Sequence, residues 1–85
     1  MFSIGTVFAT EDAIKALAKV DISLQQALHI HQCGGWPVLT YQDLEMDEEN
    51  FKHGWKASKC RAHRDDVWIV TDPHRKLTTL HLPGE

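Results

Sequence analysis

From residue 11 to residue 55 the apolar side chains recur at helical spacing, and from residue 56 onward they alternate. That change of period restricts the fold, because a helix presents a stripe and a strand presents a face, and each needs a cover. Ahead of the helical stretch, residues 2–8 alternate with Phe2, Ile4, Thr6 and Phe8 on one side, which predicts a half-buried strand. The resulting order is β-α-α-α-β-β-β. Helices bunched ahead of strands predict an α+β domain, with the helices on one face of a small antiparallel sheet that ends in a three-stranded meander. A chain of 85 residues fits one such domain over residues 1–85.

The helix boundaries are written in the caps. Thr10 is an N-cap candidate, with Glu11 and Asp12 in the first turn, where the helix dipole favours anions. Ile14, Leu17 and Ala18 give the apolar spacing of a helix to about Lys19. Ser23 and Gln26 fit a capping box for a second helix running to about Cys33. Gly34 and Gly35 offer a left-handed C-cap, and Pro37 prevents quick resumption. A third helix is expected over residues 40–54, where Tyr41, Leu44, Glu48, Phe51 and Trp55 share one face. Residues 56–63, 67–71 and 76–82 are expected strands, separated by Arg64, Asp65 and Asp66 and by the run from Asp72 to Arg75.

Charge narrows the function classes. The net charge of -3 argues against nonspecific nucleic-acid binding by the whole chain. Two cysteines are too few for a disulfide scaffold. No run approaches the roughly 18 apolar residues of a membrane span. The N-terminus has no basic leader pattern, and Glu11 and Asp12 interrupt any apolar run, so a cytoplasmic setting is expected. The total hides a split: residues 1–50 carry two basic and eight acidic side chains, and residues 51–85 carry seven and four.

Candidate chemistry clusters in the second helix. His31 falls within about 40° of the Leu24 and Leu28 stripe, near the helix C-terminus, whereas His29 and Cys33 face outward. A histidine on a buried stripe is expected to be structural, with a ring nitrogen on a backbone carbonyl. His29 and Cys33 at i and i+4, with Cys60 and His63, supply four ligands of types suited to zinc, but neither pair is a strong zinc signature. No cofactor is implied. The acidic run of Asp43, Glu45, Asp47, Glu48 and Glu49 is either a solvated helix face or a negative surface that docks a basic groove. Lys52, Lys56, Lys59, Arg61 and Arg64 form a basic counterpart, with Lys59 and Arg61 on one strand face. Trp55 and Trp68 read as core. Trp36 either caps the core through its indole N–H or anchors a partner, and capping is preferred.

Taken in order, the chain shows Ile4, Gly5, Val7, Ala9 and Thr10; then His31, Gly34 and Trp36; then Glu49, Asn50, Gly54 and Ser58. It closes with Trp68, Ile69, Thr71, Arg75, Thr78, Thr79, Leu80, Leu82, Pro83 and Glu85. This pattern resembles a family of small proteins carried by plasmids and integrative elements of proteobacteria, commonly labelled plasmid-related proteins. The resemblance spans nearly the whole chain and implies a mobile-element setting without an assigned activity. The family's aspartate and final glycine after the histidine are replaced here by Gly35 and Pro37.

Two functions of different class follow as expectations. The first is a non-enzymatic module that binds another protein, such as a host-defence complex, through the acidic helix and Trp36. The second is a compact metal-independent ribonuclease in which His31 and His63 serve as base and acid, Arg75 holds phosphate and Thr78 assists.

Overall fold

The computed structural model describes residues 2–84; Met1 and Glu85, the last residue of the family-like pattern, lie outside the described residues. The chain is α+β, with β1 (Thr6–Ala9), α1 (Glu11–Lys19), α2 (Leu24–Gln32), α3 (Glu48–Phe51), β2 (Lys56–Ala62), β3 (Asp65–Thr71) and β4 (Leu77–His81). Both long helices begin and end where the caps predict. Thr10 accepts a hydrogen bond from the Ala13 N–H, and Ser23 and Gln26 form a reciprocal capping box. At the end of α2, Gly34 takes φ +75, its N–H reaches the His31 carbonyl, and the Gly35 N–H reaches the Ile30 carbonyl. This paired bonding closes the last turn.

Three expectations need correction. The sheet is mixed, not antiparallel: the order is β1-β4-β3-β2, and β1 runs parallel to β4 with Thr6 opposite Leu77. The three C-terminal strands do pair consecutively and antiparallel. The parallel contact is possible because both long helices lie between β1 and β4 in sequence, giving the chain room to return. The long third helix is not formed. Residues 41–45 make a turn that stops at Glu45, whose φ of +54 cannot continue a right-handed helix, and α3 is a single turn after Asp47. Thr40 and Asp43 bond each other's backbone N–H groups, the reciprocal arrangement that also starts α2, so a helical turn begins at Thr40 and ends at Glu45. The β2–β3 connection is also tighter than expected. Asp65 and Asp66 belong to β3, and the turn consists of His63, at φ +60, and Arg64.

Each face of the sheet has its own cover. α1 and α2 pack Ala13, Leu17, Ala27 and Leu28 against Cys60, Val67, Ile69 and Leu80. On the other face, residues 39–55 bring Leu39, Leu44 and Trp55 against Ala57, Val70 and Trp68. This second cover spans only the β2 and β3 half. Phe8 (63% exposed) and Leu77 remain in solvent over β1 and β4.

The β1–β4 approach leaves no space at Gly5. Its φ is +64, and a Cβ there would lie 2.5 Å from the Lys76 carbonyl carbon and oxygen. Gly84, at φ +87, has open space around it. Gly5→Ala is therefore expected to cost more than about 2 kcal/mol, and Gly84→Ala about 1 kcal/mol. Urea unfolding of the two variants measures both, and an equal cost would show that the backbone overlap at Gly5 relaxes freely.

Candidate functional site

The central feature is a chain of buried polar groups under α2. His31 is 3% exposed, with Nδ1 2.6 Å from Ser58 Oγ and Nε2 3.0 Å from Thr71 Oγ1. Thr71 Oγ1 lies 2.7 Å from Thr78 Oγ1, which donates to the Ile4 carbonyl at 2.7 Å. That carbonyl fixes every proton upstream. Thr78 spends its only hydrogen on Ile4, so Thr71 must donate to Thr78. Thr71 then accepts from Nε2–H, which leaves Nδ1 of the neutral ring to accept from the Ser58 hydroxyl. The ring's partners are side-chain hydroxyls on two strands, β2 and β3, not the backbone carbonyl expected for a structural histidine.

Ser58, Thr71 and Thr78 reach the same place because they occupy inward-facing positions at one end of the sheet. Thr71 and Thr78 are direct partners across β3 and β4. Ser58, Cys60 and Ala62 share the buried side of β2. Burial holds the His31 pKa down at about 4, against an ordinary 6.5, so the ring is neutral near pH 7.

A Ser hydroxyl donating to a neutral imidazole has the bond polarity of a nucleophile and its base. Here the second ring nitrogen donates to a threonine instead of a carboxylate, so a developing imidazolium gains little stabilisation. The expected ribonuclease set is only partly assembled. Thr78 joins His31 through Thr71, and the Arg75 guanidinium lies 5.2 Å over the Phe2 ring, whose other contact is the His31 ring at 5.1 Å. Arg75 is committed to the Gly54 and Asp72 carbonyls. His63 sits on the β2–β3 turn, five residues past Ser58 along a strand, or roughly 16 Å away. Acid and base therefore do not share a cleft.

The zinc set divides as well. His29 Nε2 and Cys33 Sγ are 3.8 Å apart on the exposed side of α2. Cys60 is fully buried against the helices, where burial, with Asp66 adding to it, pushes its thiol pKa up. No group of three or more metal-ligating side chains occurs among the described residues.

Above the His31–Ser58 pair opens a cavity of about 630 Å³ between the end of α2, residues 36–41, Phe51, Trp55 and the start of β2. Five aromatic rings line it: Phe2, Trp36, Tyr41, Phe51 and Trp55. The Trp36 indole N–H donates to the Ala27 carbonyl at 2.9 Å, so this side chain caps the helix layer while one side of it faces the cavity. The Tyr41 and Phe51 rings meet at a tilt of 55° with centroids 6.4 Å apart, and the acidic run lies in the loop between them. Asp43, Glu45, Asp47, Glu48 and Glu49 are all exposed, on a turn and a one-turn helix instead of one continuous helix face. The Thr40 N–H and hydroxyl hold the Asp43 carboxyl below its usual range, with Lys59 a lesser contributor. Glu48 pairs with Lys52 at 3.5 Å, and Arg61 pairs with Asp66 at 3.4 Å. Lys59 and Arg61 share the outward face of β2, as alternation predicts.

The fold and cavity define a small α+β domain with an aromatic-lined, ligand-sized recess. Comparison with family models, curated proteins and solved structures returned no match to this chain.

Burial of neutral His31 makes stability depend on pH with a definite sign. The unfolded chain protonates this ring near pH 6.5 and the folded protein near 4. The residue's contribution is complete above 6.5, declines between 6.5 and 4, and levels off below that, by up to about 3 kcal/mol. Urea unfolding at a series of pH values checks this. His31→Gln should be less stable at pH 7.5 yet lose less on acidification to pH 4.5; a parallel loss in both proteins would contradict it.

Proposed function

We propose that this protein is a non-enzymatic binding module that receives an apolar or aromatic side chain of a partner protein in the cavity. The observation that carries this reading is the 630 Å³ recess, walled by five aromatic rings and floored by a His–Ser pair whose hydrogen bonds are already made. Its size suits a single bulky side chain with its backbone. The acidic loop runs between two of the lining rings, Tyr41 and Phe51; its carboxylates stand beside the cavity, whose own charged lining residue is Lys56, and as a lip of like charge the loop favours a basic flank on the incoming segment and steers its approach. An occupant presenting a carbonyl oxygen would also give the buried Trp55 indole N–H the acceptor it lacks.

The acidic residues thus act from a loop beside a pocket, in place of the continuous helix face expected from the sequence. The mobile-element setting and a host-defence complex as the partner follow from the family resemblance and belong to this proposal. Both nitrogens of His31 are engaged and the ring is a weak base, which favours binding over catalysis. RNA incubated with the protein at neutral pH in EDTA should stay intact; cleavage lost in His31→Gln would restore the ribonuclease reading.

Trp36 and Trp55 make the cavity its own reporter. A peptide with a central tryptophan-sized apolar residue between lysines should change their fluorescence on binding. A naphthylalanine residue serves as that probe, since it leaves the protein's indoles spectrally separable. Val38 is 76% exposed at the rim, so Val38→Glu should abolish binding without unfolding the protein. Neutralising Asp47, Glu48 and Glu49 together should weaken binding severalfold and remove most of its salt dependence. Unchanged affinity in the Val38 variant would remove the cavity from the site, and unchanged affinity in the neutralised variant would remove the lip.

A further inference from the structure

We infer that His29 and Cys33 are half of a zinc site that a second copy of this chain completes. The two residues lie one turn apart on α2, both side chains exposed, with Nε2 and Sγ 3.8 Å apart. A tetrahedral zinc ion with bonds of about 2.3 Å to sulfur and 2.0–2.1 Å to nitrogen holds such donors about 3.6 Å apart. The pair therefore stands close to the required bite before any ion arrives. The helix that carries it is fixed at both ends by caps and from beneath by His31. Little rotational freedom remains to be lost on binding.

One chain cannot finish the coordination. Cys60 is sealed in the opposite layer and His63 is on the far hairpin, so the remaining two donors must come from outside. A second copy supplies them with matching chemistry. Two thiolates and two neutral imidazoles around one Zn²⁺ give a site of zero net charge, which can be enclosed between helices without burying an uncompensated ion. Each ion displaces two thiol protons, one from each Cys33.

The surrounding surface suits contact with its own copy. A quarter of the chain is charged, yet from Ile22 to Gln42 there is no Asp, Glu, Lys or Arg across 21 residues. The exposed neighbours of the pair on α2 are Gln25 and Gln26. In a two-fold contact each group meets its own kind, so any charge on this face would be opposed by itself. Asp21 and Asp43 bracket the neutral stretch and α2 carries none.

The test uses the full chain, kept reduced by a non-chelating phosphine and titrated with zinc sulfate. Sedimentation should move from monomer to dimer, and native mass spectrometry should show one zinc per two chains. Cobalt substitution should give the visible bands of a tetrahedral ion with a thiolate charge-transfer band. His29→Ala and Cys33→Ser should each abolish the dimer with the circular dichroism spectrum unchanged, whereas His53→Ala should leave it intact. A one-to-one zinc complex of the monomer, a dimer that forms equally without zinc or in Cys33→Ser, or no zinc uptake at micromolar concentration would each overturn the inference.

Discussion

One proton sequence, from Ser58 through His31, Thr71 and Thr78 to the Ile4 carbonyl, joins the parts of the molecule that are farthest apart in sequence. It ties α2 to β2, β3 and β4 and fastens the segment ahead of β1 to the sheet. Each bond contributes modestly in net terms, on the order of 1 kcal/mol, but the cost of breaking one in the interior is larger. Because the last acceptor fixes the direction of the bonds up to Nε2, the neutral His31 ring is held in one tautomer, with its proton on Nε2. An apolar contact would allow α2 to slide; this one specifies its position.

Much of the remaining architecture follows from where that chain ends the sheet. With α1 and α2 committed to one face, the other face needs a cover, and the only long segment left runs from the end of α2 to β2. Residues 37–39 first pair with the β2 edge, through Leu39 N–H to the Ala57 carbonyl and Lys59 N–H to the Pro37 carbonyl. The segment then crosses β2 and β3 as turns, dropping Leu39, Leu44 and Trp55 onto Ala57, Val70 and Trp68. A straight helix over residues 40–54 would be more than about 20 Å long. It would overshoot a sheet half only two strands wide, with strands about 4.8 Å apart. Breaking at Glu45 shortens the cover and leaves the aromatic recess between it and α2.

The features legible in the sequence were those encoded within a few residues. Thr10, the Ser23 and Gln26 box, and Gly34 with Gly35 marked α1 and α2, because capping is a local hydrogen-bonding matter. The alternation after residue 55 gave the three paired strands. The side of α2 on which His31 lies was also readable. What failed was set by distant partners. The sparse stripe from Tyr41 to Trp55 matched a helix, but Glu45 takes a left-handed conformation that no local pattern announces. The parallel place of β1 depends on β4, some seventy residues on. Ser58 belongs to the family-like pattern, which implies no role for it. A signal for it existed: Ser58, Thr71 and Thr78 are hydroxyls at strand positions where alternation demands an inward side chain. Three such residues with one inward histidine already suggest a buried network.

The charge split takes on a different meaning once placed on the fold. Read along the chain, it suggested an acidic half facing a basic half. In space, part of the opposition is consumed locally, Arg61 against Asp66 and Lys52 against Glu48, and Lys59 acts on Asp43. Such exposed pairs add little stability, so their placement matters more for the field they leave outside. Negative charge gathers in the loop beside the cavity, and α2 itself carries no Asp, Glu, Lys or Arg. A long-range field favours encounter with a partner of opposite sign, whereas a neutral surface permits contact with an identical one. The two surfaces therefore differ in the partners they admit because their charge differs, even though α2 and its trailing segment contribute to both.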